Sequence, residues 1–330
     1  MRLSLVILIL CSFTAKAQLS QYQFSSAADN ARNAALGGEV ISINDGDGAL
    51  MMQNPALIDS VQNSTITLTF SPYFADINAF SGTYKFDTKK VKNLSFGIRY
   101  FDFGNFERRE PNGDLVGSFD AKDYQIVIGK SHRLSSFTFG LNAKFNGSAI
   151  DNYQSTALLF DIGGIYQHPE KELTFALLFK DFGFILNDFF SLAQSKVPFD
   201  VQLGTTFKPQ YMPFRFSITA YNLASRDLVF LEDEDSAKRI DDRINDIFRH
   251  ISIGAELLLS QNVQFLIGYN HLRREELSIL DDAGGAGMSF GLKIGVKRFQ
   301  FRYAYSRYHF GGGSNFFTLQ SNIRSFKKSS

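Results

Sequence analysis

The sequence predicts an all-β fold: a transmembrane antiparallel β-barrel of about fourteen strands, preceded by an N-terminal plug or hatch segment. Three observations predict it. Apolar and polar residues alternate with period two along most of the chain after Thr65. The connections between the alternating segments are short and long in turn. The chain opens on a secretory leader, and no later apolar run is long enough for a helical span.

Composition fits this reading. The chain of 330 residues holds 35 Phe and 13 Tyr but no Trp, and is 44% hydrophobic. Its mean hydropathy is only −0.10. A helical membrane protein is far more apolar, whereas a barrel dilutes its oily face with a polar one. The formal net charge of +1 supplies no field for nucleic acid.

Residues 1–17 read as a signal peptide. Arg2 precedes an apolar run from Leu3 to Leu10, and Ala15-Lys16-Ala17 is a small-residue cleavage pattern. The apolar core is too short for a membrane anchor. The one cysteine, Cys11, lies inside this leader, with bulky Leu10 where a lipoprotein site needs a smaller residue. Cleavage leaves an exported chain without disulfides.

Residues 18–64 form the expected hatch segment, because they do not alternate. Small residues from Ala27 to Gly38 allow close backbone packing. Asp47 is a candidate N-cap for a short helix over Ala49–Gln53, which Pro55 ends. Gly37, Gly38, Asn54, Pro55 and Ala56 are the structural hatch motif.

Residues 65–330 form the barrel, with segments near 65–70, 76–86, 93–103, 120–131, 135–147, 154–167, 171–181, 197–208, 213–222, 249–259, 262–272, 287–297, 299–308 and 316–324. In the fifth, Phe137, Phe139, Leu141, Ala143 and Phe145 take one parity and Thr138, Gly140, Asn142 and Lys144 the other. One face is therefore oily and one wet. Links after even segments are short, and those after odd segments are mostly longer: 104–119, 182–196, 223–248, 273–286 and 309–315. Outer-membrane barrels alternate periplasmic turns and external loops in this way, and an even strand count puts both termini in the periplasm. Two segments are less regular. Phe101 and Phe103 share the parity of Arg99, marking a girdle or a bulge, and the run Leu158 to Ile165 mixes parity. The competing soluble fold, a β-sandwich, explains poorly why Lys144, Glu256, Lys293 and Arg302 occupy the polar parity. Those residues suit a wet lumen, and the outer face suits outer-membrane lipid as its solvent.

Six stretches carry a resemblance: Ala31–Gly38, the acidic turn Asp45–Asp47, Asn54-Pro55-Ala56-Leu57, Tyr73–Asn78, Pro213–Ser217 and Ser314–Leu319. Together they resemble the PorQ family of the Bacteroidetes type IX secretion system. Asn-Pro-Ala alone is shared with the wider FadL-like fatty-acid transporters. The resemblance implies a fourteen-stranded barrel with a hatch and a place in the cell-surface attachment complex, where cargo loses its sorting domain and is joined to lipopolysaccharide. It assigns the sortase chemistry to a partner, PorU, and gives the barrel the role of anchor for a PorZ-like surface protein. The sequence departs from a barrel ending on an aromatic residue: Lys327-Lys328-Ser329-Ser330 follow Phe326.

The residues themselves point to no catalysis, no cofactor and no metal. His132, His168, His250, His271 and His309 lack metal-pair spacing. No G-x-S-x-G elbow is present, and the glycine runs at 284–287 and 311–313 lack a following Lys-Ser/Thr. Asn44 to Gly48 reads as a Gly/Asp turn and not as an EF-hand. The most distinctive loop joins the acids Glu232, Asp233, Glu234 and Asp235 to Ile240, Ile244, Ile247 and Phe248 at helical spacing. It is either a solvated external loop or a docking surface for an extracellular partner. Two rivals to an anchor stand: a FadL-like channel for hydrophobic small molecules, which needs a continuous apolar pocket beside the hatch, and a barrel hydrolase, which needs a Ser–His–acid cluster at a strand end.

Overall fold

The computed structural model describes residues 21–73, 77–189, 195–224, 240–277, 285–309 and 312–326. The leader, the acids Glu232–Asp235 and the tail after Phe326 lie outside these residues.

Fourteen antiparallel strands close into one barrel. They are β1 (Thr65–Pro72), β2 (Asn78–Phe86), β3 (Leu94–Arg109), β4 (Leu115–Leu134), β5 (Phe137–Ile150), β6 (Tyr153–Gln167), β7 (Leu173–Asn187), β8 (Asp200–Phe207), β9 (Phe214–Ala220), β10 (Ile251–Leu258), β11 (Val263–Asn270), β12 (Met288–Val296), β13 (Phe299–His309) and β14 (Gly312–Asn322). Each pairs with its sequence neighbours, and β1 closes on β14 from Thr65↔Asn322 to Phe70↔Phe317. Closure matters because an open edge in hydrocarbon leaves backbone groups without partners.

The period-two pattern becomes two faces. Phe137, Phe139, Leu141 and Phe145 of β5 are exposed, while Thr138, Asn142 and Lys144 are buried. The outward run from Phe137 to Gly147, at about 3.3 Å per residue and a tilt of about 40°, spans about 25 Å, the height of a membrane-barrel apolar band. Tight turns close the strands at one end: Ser135 and Lys297 adopt φ of 56° and 53° in the β4–β5 and β12–β13 hairpins.

Three sequence readings change. The expected loop 104–119 is mostly strand. β3 and β4 continue to Arg109 and from Leu115, leaving a turn at Glu110–Asp114. The segment lost its oily alternation because it rises past the ends of β2, at Asn78↔Asp102, and β5, at Ala121↔Ile150. Phe101 is no girdle residue: it points inward, 4% exposed, with a register shift between Asp102 and Asn105. Leu159 and Ile165 also face inward, next to a register shift between Phe160 and Ile162.

The lumen is filled, not wet. Residues 21–64 run inside the ring of strands and contain α1 (Ala31–Ala35) and one-turn helices at Gln23–Ser26, Gly48–Met52 and Pro55–Ser60. Asn30 caps α1 by accepting from the Asn33 amide, Asp47 caps the second turn through Ala49, and Asn54 caps the third through Ala56. Pro55 therefore opens a turn as well as ending the one before it. The strand termini meet at the short-turn end, where the Ile323 amide donates to Ser64 O at 2.9 Å. Gln21, by contrast, lies at the opposite mouth, donating to Lys196 O at 3.0 Å and to Asp188 at 2.7 Å in the β7–β8 link. The segment traverses the bore before β1 begins.

Candidate functional site

Charge locks the segment to the wall. Arg32, on α1 and 2% exposed, contacts Asp45 at 2.7 Å, Asp47 at 2.9 Å and Glu256 of β10 at 2.9 Å. Arg215 of β9 reaches Asp45 at 2.7 Å and Glu256 at 3.0 Å, and Arg302 of β13 reaches Asp47 at 3.0 Å. Three guanidiniums thus face three carboxylates, each with more than one partner or a fork to share. Burial of such charges is tolerable only when they are paired. Toward the outer mouth, Arg99 binds Asp29 at 3.1 Å and donates to the carbonyls of Phe24 and Ser25. Lys144 lies between Asp161 at 2.7 Å and Asp181 at 2.8 Å, and Ser25 donates to Asp181. Of the lumenal residues expected to meet water, Lys144, Glu256 and Arg302 instead meet opposite charges of the wall and the segment, while Lys293 is half-buried.

Shape completes the lock. A Cβ on wall residue Gly140 would lie 2.2 Å from the Pro55 carbonyl carbon, and one on Gly163 would lie 2.0 Å from Asn54 Oδ1. On the far side, Gly268 admits the Gly37 amide at 2.3 Å from the same virtual position. Glycine inside a strand here marks close backbone approach. Asn54 also donates to Ile41 O at 2.9 Å, and the φ of +96° and +94° at Gly37 and Gly38 ends α1 with the Gly38 amide on Asn33 O. The hatch-motif residues therefore sit at opposite walls: Asn54, Pro55 and Ala56 against β5 and β6, and Gly37 against β10 and β11, with Gly38 beside Arg273 just after β11.

The outer mouth carries the second group. The β9–β10 link contains α2 (Ile240–Arg249), and α3 (His271–Leu277) follows β11. His271 stacks edge-on against Phe248 at 6.0 Å, accepts or donates with Tyr269 OH at 3.0 Å and contacts Asn245. Burial pushes the His271 ring below its ordinary titration range, with Glu275 opposing. Ile247 is 62% exposed, and Phe248 is half-exposed. Ile240 and Ile244 belong to the helix, but their side chains lie outside the described part. The structure also brings forward an element that sequence reading missed, the β3–β4 ribbon, with Phe106, Leu115 and Val116 exposed beyond the barrel rim. Unpaired edges and exposed apolar residues on a two-stranded ribbon are features of contact surfaces.

Among the described residues no group of three or more His, Cys, Asp or Glu is placed to hold a metal. Ser306 points inward to Ser289 at 2.6 Å and Arg273 at 3.0 Å. His250 contacts Tyr221 O at 3.0 Å.

No protein-family model matches the chain, and no curated protein sequence does. Solved structures do. The toluene transporter TbuX of Ralstonia pickettii superposes with a TM-score of 0.53 at 11% identity, covering 91% of this chain and 99% of that one. The CymD monoaromatic hydrocarbon channel gives 0.52 at 10%, covering 92% and 97%. A FadL homologue of Pseudomonas aeruginosa gives 0.51 at 10%, covering 89% and 98%. At such identities the likeness concerns the fold. Taken with the closed fourteen-strand ring and its oily outer band, it makes this chain an integral outer-membrane β-barrel of the FadL-like fold.

Proposed function

We propose that the protein is a non-enzymatic outer-membrane barrel, closed by its N-terminal segment, that anchors a surface partner of the type IX attachment complex. The observation that carries this reading is the filled bore. Residues 31–58 are almost entirely buried, and their charges are balanced against the wall. A bore so packed suits a closed barrel, and the β3–β4 ribbon, with Phe106, Leu115 and Val116 exposed, offers a surface to a partner. The resemblance in Ala31–Gly38, Asn54–Leu57 and Ser314–Leu319 supplies the kind of partner, a PorZ-like protein and through it the sortase complex.

The test is a pull-down of the intact protein from detergent, with co-purifying surface proteins identified, repeated on a chain lacking 231–246. Recovery of an attachment-complex component from the intact chain supports the anchor. Recovery of none sinks it, and equal recovery from both chains removes the docking role from that loop.

A second reading, passage of hydrophobic small molecules, is favoured by the likeness to a toluene transporter and a monoaromatic hydrocarbon channel. It requires the buried segment to yield an apolar route. Uptake of toluene into cells that depends on this chain would establish it over the anchor.

A further inference from the structure

An apolar concavity lies on the outer wall of the barrel. A cavity of about 690 Å³ spans six adjacent strands, β12, β13, β14, β1, β2 and β3. Leu68, Ile98, Ile294, Phe301, Tyr303 and Phe317 line it, all from the oily parity, around Gly82 in the middle of β2.

On these strands Thr69, Thr83, Thr318 and Gln320 point inward and bond one another or the N-terminal segment. Thr318 Oγ1 accepts from the Ala31 amide at 2.9 Å, and Thr69 bonds Thr318 at 2.8 Å. Thr83 donates to Gly48 O at 3.0 Å, and Gln320 accepts from the Gly48 amide at 3.1 Å.

We infer that this hollow is a binding site for one linear hydrocarbon chain, taken from the bilayer. Its volume lies within the range of about 300–1,000 Å³ typical of ligand sites. It is continuous with the lipid-facing band, so an acyl chain reaches it without leaving hydrocarbon. Its lining is mostly apolar, and the Tyr303 hydroxyl already donates to Asn315 at 2.8 Å. The floor is sealed, because β1 pairs with β14 and with β2 without a register shift. The occupant is therefore held at the wall and not passed through it. A phospholipid, a lipopolysaccharide and a free fatty acid share this chemistry.

Gly82 gives the test. Its backbone is open to any L residue, and a Cβ there would meet only side-chain ends, Leu68 Cδ2 at 3.3 Å and Ile98 Cγ1 at 3.6 Å. Gly82→Phe places a ring in the hollow. Gly164→Phe is the control on the opposite lipid face, where a Cβ meets Phe139 at 3.7 Å. The full chain is extracted from outer membranes in mild detergent and weighed by native mass spectrometry, with the adduct fragmented for identity. Wild type and Gly164→Phe are expected to retain one acyl-bearing molecule. Gly82→Phe is expected to retain about tenfold less or lower still, since each displaced methylene is worth about fourfold in affinity. The adduct mass names the source. Equal retention in Gly82→Phe and wild type overturns the inference, as does a wild type carrying no acyl species. A dimer mass lost only in Gly82→Phe also overturns it and gives the hollow to a second copy. Should Gly82→Phe fail to fold, wild type in vesicles containing phosphatidylethanolamine with a photoactivatable acyl chain decides. Cross-links concentrated on peptides 66–72 and 315–319 uphold the site, and cross-links spread evenly around the barrel remove it.

Discussion

Replacing Arg32 by Met tests how the N-terminal segment is held. In the native barrel Arg32 is shared by Asp45, Asp47 and Glu256. Without it, Arg215 still serves Asp45 and Glu256, and Arg302 still serves Asp47. Three carboxylates are then left with two guanidiniums, and one buried negative charge has no counterpart. Breaking a buried pair in this way costs about 3–5 kcal/mol. The Asp45 side chain is 26% exposed, so water relieves part of the excess and the lower figure, about 3 kcal/mol, applies. That is roughly a hundredfold in the ratio of docked to undocked segment. Amide hydrogen exchange in detergent, followed at Ala31–Ala35, should lose about two decades of protection while the strands of the ring keep theirs. Adding Glu256→Gln restores a two-to-two balance and should recover more than half of the loss. Arg32→Lys should fall between, because an ammonium is a point charge and cannot fork to three acceptors. Unchanged exchange in Arg32→Met, or a double variant as poor as the sum of its parts, would refute the charge-balance argument.

Three further outcomes follow from the same geometry. Gly140→Val drives a side chain into the Pro55 backbone, 2.2 Å from its Cβ, and should raise single-channel conductance in planar bilayers; Gly164→Val, facing lipid, should leave it unchanged. Lys144→Met leaves Asp161 and Asp181 facing each other at 0% exposure and should lower barrel stability in denaturant by about 3 kcal/mol, with Lys144→Met/Asp161→Asn recovering part. Burial holds the His271 ring below its usual range, so the folded state binds fewer protons than the unfolded one near pH 6. The contact between α2 and α3 should therefore be firm at pH 7.5 and weaken as pH falls below about 6.5, read as faster exchange at 245–250, and His271→Phe should abolish the pH dependence.

The strands were legible because alternation is local: lipid on one side and polar packing on the other write the same two-residue period fourteen times. The β3–β4 ribbon was not, since above the rim both faces meet water and no alternation is required of Glu107, Arg108 and Arg109. Phe101 and Leu159 misled for the opposite reason, being apolar residues on the inner face that pack with Tyr22 and Phe24. The caps at Asp47 and Asn54 could be read from residue type and spacing. The ion pairs could not: Arg32 and Glu256 are 224 positions apart, and nothing local joins them. One available signal was overlooked. Gly97, Gly129, Gly140, Gly163, Gly254, Gly268 and Gly291 all fall on the inward parity of their strands, where glycine costs strand stability unless another backbone comes close.

Those glycines also bear on whether the segment can move. Its contacts divide among walls that face one another: Leu36 and Gly37 lie on Gly254 and Gly268, Met52 lies on Gly97, and Asn54 to Ala56 lie on Gly140 and Gly163. A shift that relieves one wall presses the segment into another. Tethering to β1 at Ser64 and Thr65 prevents a simple exit through the outer mouth. Release toward the periplasm would separate Arg32 from Glu256 and Arg302 from Asp47 together, so the costs of several buried charges would fall due in one step. A gate is built from a bistable element biased by a few kcal/mol. This segment is held by buried ion pairs and by close backbone contacts on facing walls, which makes it a fixed part of the barrel.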